Sequence, residues 1–259
     1  RLAHMDVHTP TPIQMQCIPV VQSGRDVLCL AETGSGKTLA YCLPLVAALQ
    51  DGGKPPTPQA LILTPTRELA EQVFTVVSSI MEPWVVVCGL VGGVPLGPQR
   101  RQLRQGCHIL VATPGRLQQH IQERHVSLDG VHYLVLDEAD RMLALQMEEQ
   151  VSEILHQASA PQRQTLLFSA TMPDQMERIL RAAVKDPVSI TIGGPVEASP
   201  SIVQHVHYVQ PSQKRDFFAG HSPSHPTTSG PDFLQQRVDR GQGCGLATGG
   251  TIPRCGFSR

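Results

Sequence analysis

Along this chain, short apolar runs alternate with longer stretches in which apolar residues return every three or four positions. The runs occupy 26–30, 60–63, 85–88, 109–112, 133–136, 165–168 and 188–190. They are rich in Val, Ile and Leu and show little polar alternation, as strands buried on both faces do. Helical spacing falls between them, at 37–49, 67–80, 95–105, 115–124, 146–157 and 174–184. Strand and helix in turn predict an α/β fold, a doubly wound and mostly parallel sheet with helices on both faces. The stretch 51–58, "DGGKPPTP", breaks the pattern with residues that end helices. After about residue 211 the pattern fades, and 217–259 hold eight glycines and four prolines with few aliphatics. That composition predicts a tail without regular structure, or one aberrant to the fold, so the expected division is a domain at 1–211 and a tail at 212–259. His205 and His207 alternate along a strand-like segment, "VQHVHYV", and no further Cys or His stands at ligand spacing.

Composition narrows the picture modestly. An apolar content of 41% allows a real core, and 21 basic against 22 acidic residues give a net charge of −1. A wholesale basic surface is therefore excluded, while a local basic groove is not. Seven scattered cysteines contain no CxxC pair, which supports buried thiols in a reducing compartment and no disulfide-linked partner. No apolar run has bilayer-spanning length, and no charged-then-apolar leader opens the chain. The expectation is an intracellular protein of nucleus or cytoplasm, without membrane partners. Its first residue is Arg1 rather than Met, as in a fragment.

The chemistry begins at "AETGSGKT", residues 31–38. It fits the phosphate-loop pattern GxxxxGK[ST] with Ala31 in place of the first glycine. Gly34 and Gly36 permit a tight turn that aims backbone N–H groups inward, with Glu32, Thr33 and Ser35 completing the loop. Lys37 supplies a cation for the β/γ phosphates, the Thr38 hydroxyl a Mg²⁺ ligand, and the helix beginning there its positive end. A phosphate loop needs an acidic partner for the metal. "VHYLVLDEAD" (131–140) ends a strand in Asp137 and Glu138, at the carboxyl edge where α/β ligands bind. Asp137 would hold Mg²⁺ through water and Glu138 would orient the attacking water. Two acids at such a turn can also cap the next helix; beside a phosphate loop the catalytic reading prevails.

Seven segments in order then resemble the first RecA-like domain of the DEAD-box RNA helicases: "TPTPIQ" (9–14), "AETGSGKT" (31–38), "PTRELA" (65–70), "GG" (92–93), "TPGR" (113–116), "DEAD" (137–140) and "SAT" (169–171). The resemblance implies ATP and Mg²⁺ as cofactors, with Gln14 reading the adenine edge through its amide. The aromatic residue that the family stacks on the base would fall before Arg1. The resemblance further implies that Pro65, Thr66 and Arg67, Gly92 and Gly93, and Thr113, Pro114, Gly115 and Arg116 meet the sugar-phosphate backbone of RNA. Hydroxyls, N–H groups, bare glycine backbone and arginine suit phosphate whatever the base sequence. Arg67 with Glu68 could also simply open a helix, and Pro114–Gly115 could be an ordinary turn into one. Ser169 and Thr171 resemble the family's link between nucleotide and RNA, partly through Asp140; either could equally cap a following helix. Protein cofactors are expected as further partners.

The family works between two such domains, and nothing after residue 211 resembles the second, with its HRxGR-like arginines. An arginine finger contributes ~10³–10⁵ in rate. The intact family member is thus expected to be an ATP-dependent RNA helicase, and this chain alone to hydrolyse ATP little or not at all. The alternative is a non-catalytic module that holds ATP, RNA or a protein partner. A third reading closes the site by self-association, with Arg237, Arg240 or Arg254 as the finger.

Overall fold

The computed structural model describes residues 1–49, 57–173, 183–193, 206–209, 233–236 and 244–248. It contains two compact units, Arg1–Gly193 and Gly194–Arg259, so the division falls earlier than the composition change at 211. In the first unit, a 3₁₀ turn (Leu2–Met5) and α1 (Pro12–Gln22) precede β1 (Val27–Ala31), α2 (Lys37–Ala48), β2 (Ala60–Leu63) and α3 (Arg67–Ile80). Then follow β3 (Val87–Leu90), α4 (Leu96–Arg104), β4 (Ile109–Ala112), α5 (Pro114–Gln122) and β5 (Tyr133–Leu136). The unit continues with α6 (Ala139–Ala144), α7 (Glu148–Gln157), β6 (Gln164–Ser169) and β7 (Val188–Ile192). The second unit shows an antiparallel sheet of β8 (Val206–Val209), β10 (Cys244–Thr248) and β9 (Phe233–Gln236), with β10 in the middle. The last two strands fall within the stretch whose composition predicts no regular structure; the rest of that stretch, His205 and the segment 174–182 lie outside the described residues.

The seven strands of the first unit are all parallel, in the order β3-β4-β2-β5-β6-β1-β7. Every residue of β2, β4 and β5 is buried, which is why these strands read as unbroken apolar runs. Successive residues feed opposite faces: Ala60 and Ile62 pack with α1, α2 and α3, while Leu61 and Leu63 pack with α4 to α7. This is the doubly wound, parallel α/β architecture that the alternation predicts.

Three elements differ from the pattern-based reading. The run at 85–88 suggests a strand two residues too early, because β3 is set by its register on β4, Val87 beside Ile109 through Leu90 beside Ala112. Gly89 lies within that strand beside Val111, with the Phe74 ring 3.5 Å from where a Cβ would sit. Helix α1 is absent from the predicted set; Pro19 lies inside it, as Pro44 lies inside α2, which the spacing does predict. Its signature was nonetheless present: Pro12 at the first helical position, Gln14 three residues after Thr11, and the buried stripe Ile13, Cys17, Val21. Finally, α6 (Ala139–Ala144) is absent from the predicted set, and the helix read at 146–157 begins two residues later as α7, after a left-handed Gln146 (φ 58°).

Candidate functional site

The strand order sorts the chemistry-bearing loops. All six follow the carboxyl ends of strands, the edge where parallel sheets bind ligands. Those after β1 (31–38), β5 (137–140) and β6 (169–171) lie side by side, because β5, β6 and β1 are neighbours. Those after β3 (91–94), β4 (113–116) and β2 (64–67) form the other half of the edge.

In the first half, Gly34 and Gly36 take left-handed backbone angles, φ 84° and 98°. Glycine at 36 is required twice. A Cβ there would also stand 2.6 Å from Gln14 Nε2 and 2.8 Å from Thr11 Oγ1. Ser35 donates to the Glu32 carbonyl from both N–H and hydroxyl, while Glu32 and Thr33 face solvent. Lys37 is buried, and its Nζ donates to the Ala31 carbonyl across the loop at 3.0 Å. The ammonium is thereby held over the turn that glycine opens.

Asp137 is buried at the end of β5. Its Oδ2 accepts from the Tyr41 hydroxyl at 2.8 Å and its Oδ1 from the Glu138 N–H at 3.0 Å. Burial raises this carboxyl above its ordinary range, opposed by the Tyr41 hydrogen bond and the Lys37 charge. Burial and the neighbouring carboxylate also push the Tyr41 phenol well up, so it remains a proton donor, with the Thr38 side chain beside it. Tyr41 stands four residues after Lys37 on α2 and so shares its face; no motif singles it out from sequence. Glu138 adopts a left-handed conformation (φ 50°) that costs a non-glycine residue on the order of 1 kcal/mol. Its carboxylate lies 3.2 Å from Arg141 Nη1.

A divalent cation is implied by this fold and fits the donors present. Thr38 and Asp137 offer two oxygens near a held lysine, and among the described residues no group of three or more His, Cys, Asp or Glu is placed to hold a metal ion. Two protein oxygens, with waters and substrate phosphates making up the rest, suit Mg²⁺ rather than a transition metal.

Gln14 contributes differently than a free adenine reader would. Its Oε1 accepts from the Thr11 N–H at 3.0 Å and its Nε2 donates to the Gly36 carbonyl at 3.1 Å, so α1 is tied to the phosphate loop. Ser169, fully buried, donates to the Thr171 carbonyl at 2.7 Å and accepts from the Asp140 N–H at 3.2 Å. Thr171 N–H and Oγ1 both donate to Asp140 Oδ2, at 3.0 and 2.9 Å. These three residues therefore form one network between the ends of β5 and β6.

In the second half, Thr66 caps α3 by accepting from the Leu69 N–H at 3.3 Å, and Pro65 is buried beneath it. Arg67 is exposed and pairs with Glu71 at 2.7 Å, a contact that raises its already high pKa. Gly93 (φ 77°) lies so close that a Cβ would be 3.4 Å from Arg67 Nη1, while Gly92 and Gly115 meet nothing nearby. Thr113 begins α5 with Pro114 in its first turn, and both are buried. Arg116 Nη1 donates to the Val94 carbonyl at 2.9 Å and to Gln99 Oε1 at 3.1 Å. The three predicted segments thus meet around Gly93. The sequence did not flag Gln99 or His120, which join them and have no motif of their own.

The family model for DEAD/DEAH box helicases matches residues 11–179. The "ATP-dependent RNA helicase-like protein DB10" of Nicotiana sylvestris is 44% identical over 211 residues, which are 80% of this chain and 35% of the relative; the chain thus spans about a third of that relative's length. Among solved structures, the yeast DEAD-box splicing factor Prp28 is 40% identical with a TM-score of 0.70, covering 74% of this chain and 47% of that one. A DEAD box protein from the hyperthermophile Methanococcus jannaschii is 35% identical with a TM-score of 0.68, covering 73% and 52%. On the matched motifs, the parallel sheet and these likenesses together, the chain belongs to the DEAD/DEAH box helicase family.

Proposed function

We propose that this chain is the ATP- and RNA-binding half of an ATP-dependent RNA helicase. The observation that carries the reading is the 2.8 Å bond from Tyr41 on the phosphate-loop helix to Asp137 at the end of β5. It holds two motifs 96 residues apart as one site. Backbone N–H groups of 32–38 and the Lys37 ammonium would take the phosphates. Thr38 and Asp137 would hold Mg²⁺, which when bound neutralises phosphate charge. Glu138, in its strained conformation, would orient the attacking water. Gln14 would meet adenine by exchanging its internal hydrogen bonds for the base edge. Asp140, Ser169 and Thr171 would carry the state of the nucleotide half to the RNA half.

The second half of the edge supports RNA binding. Exposed backbone at Gly93 and Gly115, partly exposed backbone at Gly92, the Thr66 hydroxyl and the guanidiniums of Arg67 and Arg116 suit phosphate oxygens without reading bases. The name of the tobacco relative supports ATP and RNA as substrates. Duplex unwinding or remodelling is proposed for a protein in which this half faces a second RecA-like domain.

The test is steady-state ATP hydrolysis with and without single-stranded RNA, using Glu138→Gln as control. RNA-stimulated turnover abolished by Glu138→Gln is the expected result where the site is completed. Turnover equal to that of the variant, with Mg·ATP binding still lost in Lys37→Ala, restricts this chain to the binding role. Absence of both nucleotide and RNA binding overturns the reading.

A further inference from the structure

Gln99 lies on α4, outside every segment that carries a motif, and its side chain is buried. Its amide nevertheless makes three hydrogen bonds to three separate places. Nε2 donates to the Val91 carbonyl at 3.0 Å, and Oε1 accepts from Arg116 Nη1 and from His120 Nε2, each at 3.1 Å. Arg116 Nη1 also donates to the Val94 carbonyl at 2.9 Å. The two carbonyls that bracket Gly92–Gly93 are therefore held separately, Val91 by Gln99 and Val94 by Arg116, and Gln99 Oε1 joins the two holders.

The chemistry of the position admits few substitutes. The site needs an acceptor facing a guanidinium and an imidazole N–H, and a donor facing a carbonyl, which one planar amide supplies. A carboxylate would satisfy the first demand and repel the Val91 carbonyl. An apolar side chain would leave buried donors unpaired. The glycine loop needs such a clamp. With Gly92 and Gly93 lacking side chains, only its backbone can fix it, and free glycine is the residue with most conformational freedom to lose.

We propose that Gln99 is a positioning residue that sets the Gly92–Gly93 backbone against the Thr113–Arg116 turn, so that a phosphodiester backbone meets both as one preformed surface. This rests on the RNA-binding reading of that edge. Preorganisation lowers the ordering cost that binding would otherwise bear.

The experiment uses the full chain and two variants. Gln99→Met keeps the volume and removes all three bonds; Gln99→Glu keeps both acceptor bonds and removes the donation to Val91. Three quantities are measured for each: affinity for a labelled oligouridylate by fluorescence anisotropy, affinity for ADP, and amide hydrogen exchange across 91–94. Gln99→Met is expected to bind RNA roughly tenfold more weakly, with faster exchange at 91–94 and unchanged ADP affinity. Gln99→Glu is expected to fall between it and the native chain. Unchanged exchange at 91–94 in Gln99→Met, native RNA affinity in that variant, or equal loss of RNA and ADP affinity each overturns the positioning role while leaving the RNA reading in place. Failure of the native chain to bind the oligouridylate overturns the RNA reading itself, and the role of Gln99 with it.

Discussion

The two halves of the sheet edge are made of the same kind of element, a loop after a parallel strand, yet they use charge in opposite ways. Around β1, β5 and β6 two charged groups, Lys37 and Asp137, are buried and internally bonded: Lys37 to the Ala31 carbonyl, Asp137 to Tyr41 and Glu138. Around β2, β3 and β4 the groups that face outward are exposed Arg67 and bare glycine backbone, and the buried polar groups, Gln99 and His120, lie one layer behind. A buried charge in a low-dielectric site acts strongly on a ligand and is costly to disturb, whereas an exposed arginine is screened and cheap to replace. The first half should therefore couple ligand binding to stability, and the second should separate them.

The sharpest break of that comparison is Lys37→Ala. It should weaken Mg·ATP binding by about 3 kcal/mol, on the order of a hundredfold, with RNA affinity in the absence of nucleotide unchanged. Titration calorimetry checks both. A matching fall in RNA affinity would show that the halves are not separable.

The next effect concerns the layer behind the β2, β3 and β4 half of the edge. His120 has its pKa lowered to about 4 from 6.5, first by burial, then by His125 and Arg116, with Glu123 opposing. Between pH 6.5 and 4 the unfolded chain therefore binds the extra proton and the folded chain does not. Stability, full above 6.5, should be lost as pH falls through that window, by up to about 3 kcal/mol from this group. Urea midpoints of the native chain and of His120→Gln, compared from pH 7 to 4.5, should converge as the pH falls if the residue acts this way. Parallel curves would sink the assignment.

Tyr41→Phe should cost about 1–3 kcal/mol of stability, because it strips a buried carboxylate oxygen of its donor. Chemical denaturation measures this, and a change below ~0.5 kcal/mol would mean that the oxygen finds another partner. The smallest effect belongs to Arg67→Ala. Its exposed pair with Glu71 should be worth less than ~1 kcal/mol to folding, while RNA affinity drops several-fold and Mg·ATP affinity holds. A large loss of stability there would dissolve the contrast between the halves.

How much of this was legible beforehand depended on whether a signal was local. Strands β2, β4 and β5 were read at their true bounds because burial on both faces leaves an unbroken apolar word. Helix α3 was likewise read at its true bounds, from the stripe Ala70, Val73, Val77 and Ile80 behind a capping threonine. Helix α1 was missed despite its capping signature, its buried apolar stripe being only Ile13, Cys17 and Val21. Strand β3 slipped because Gly89 carries no side chain to announce it, and its register is set by a strand some twenty residues on. At the site, Lys37, Asp137 and Glu138 stood in recognisable words. Tyr41 and Gln99 did not, since each matters through a partner 96 or 8 to 21 residues away.

The sequence by itself determined the layered α/β fold and the family, and marked the phosphate-loop pattern and the acidic pair at the end of β5. Those are written in periodicity and in short motifs whose chemistry fits within a few consecutive residues. The tertiary structure decided what those motifs do to one another. The order β3-β4-β2-β5-β6-β1 divided one edge into two halves, engaged both amide atoms of Gln14 with Thr11 and Gly36, and made Gln99 the join between two backbone loops. Hydrogen bonds between residues far apart in the chain depend on strand order and register, and neither is encoded in any one stretch of the sequence.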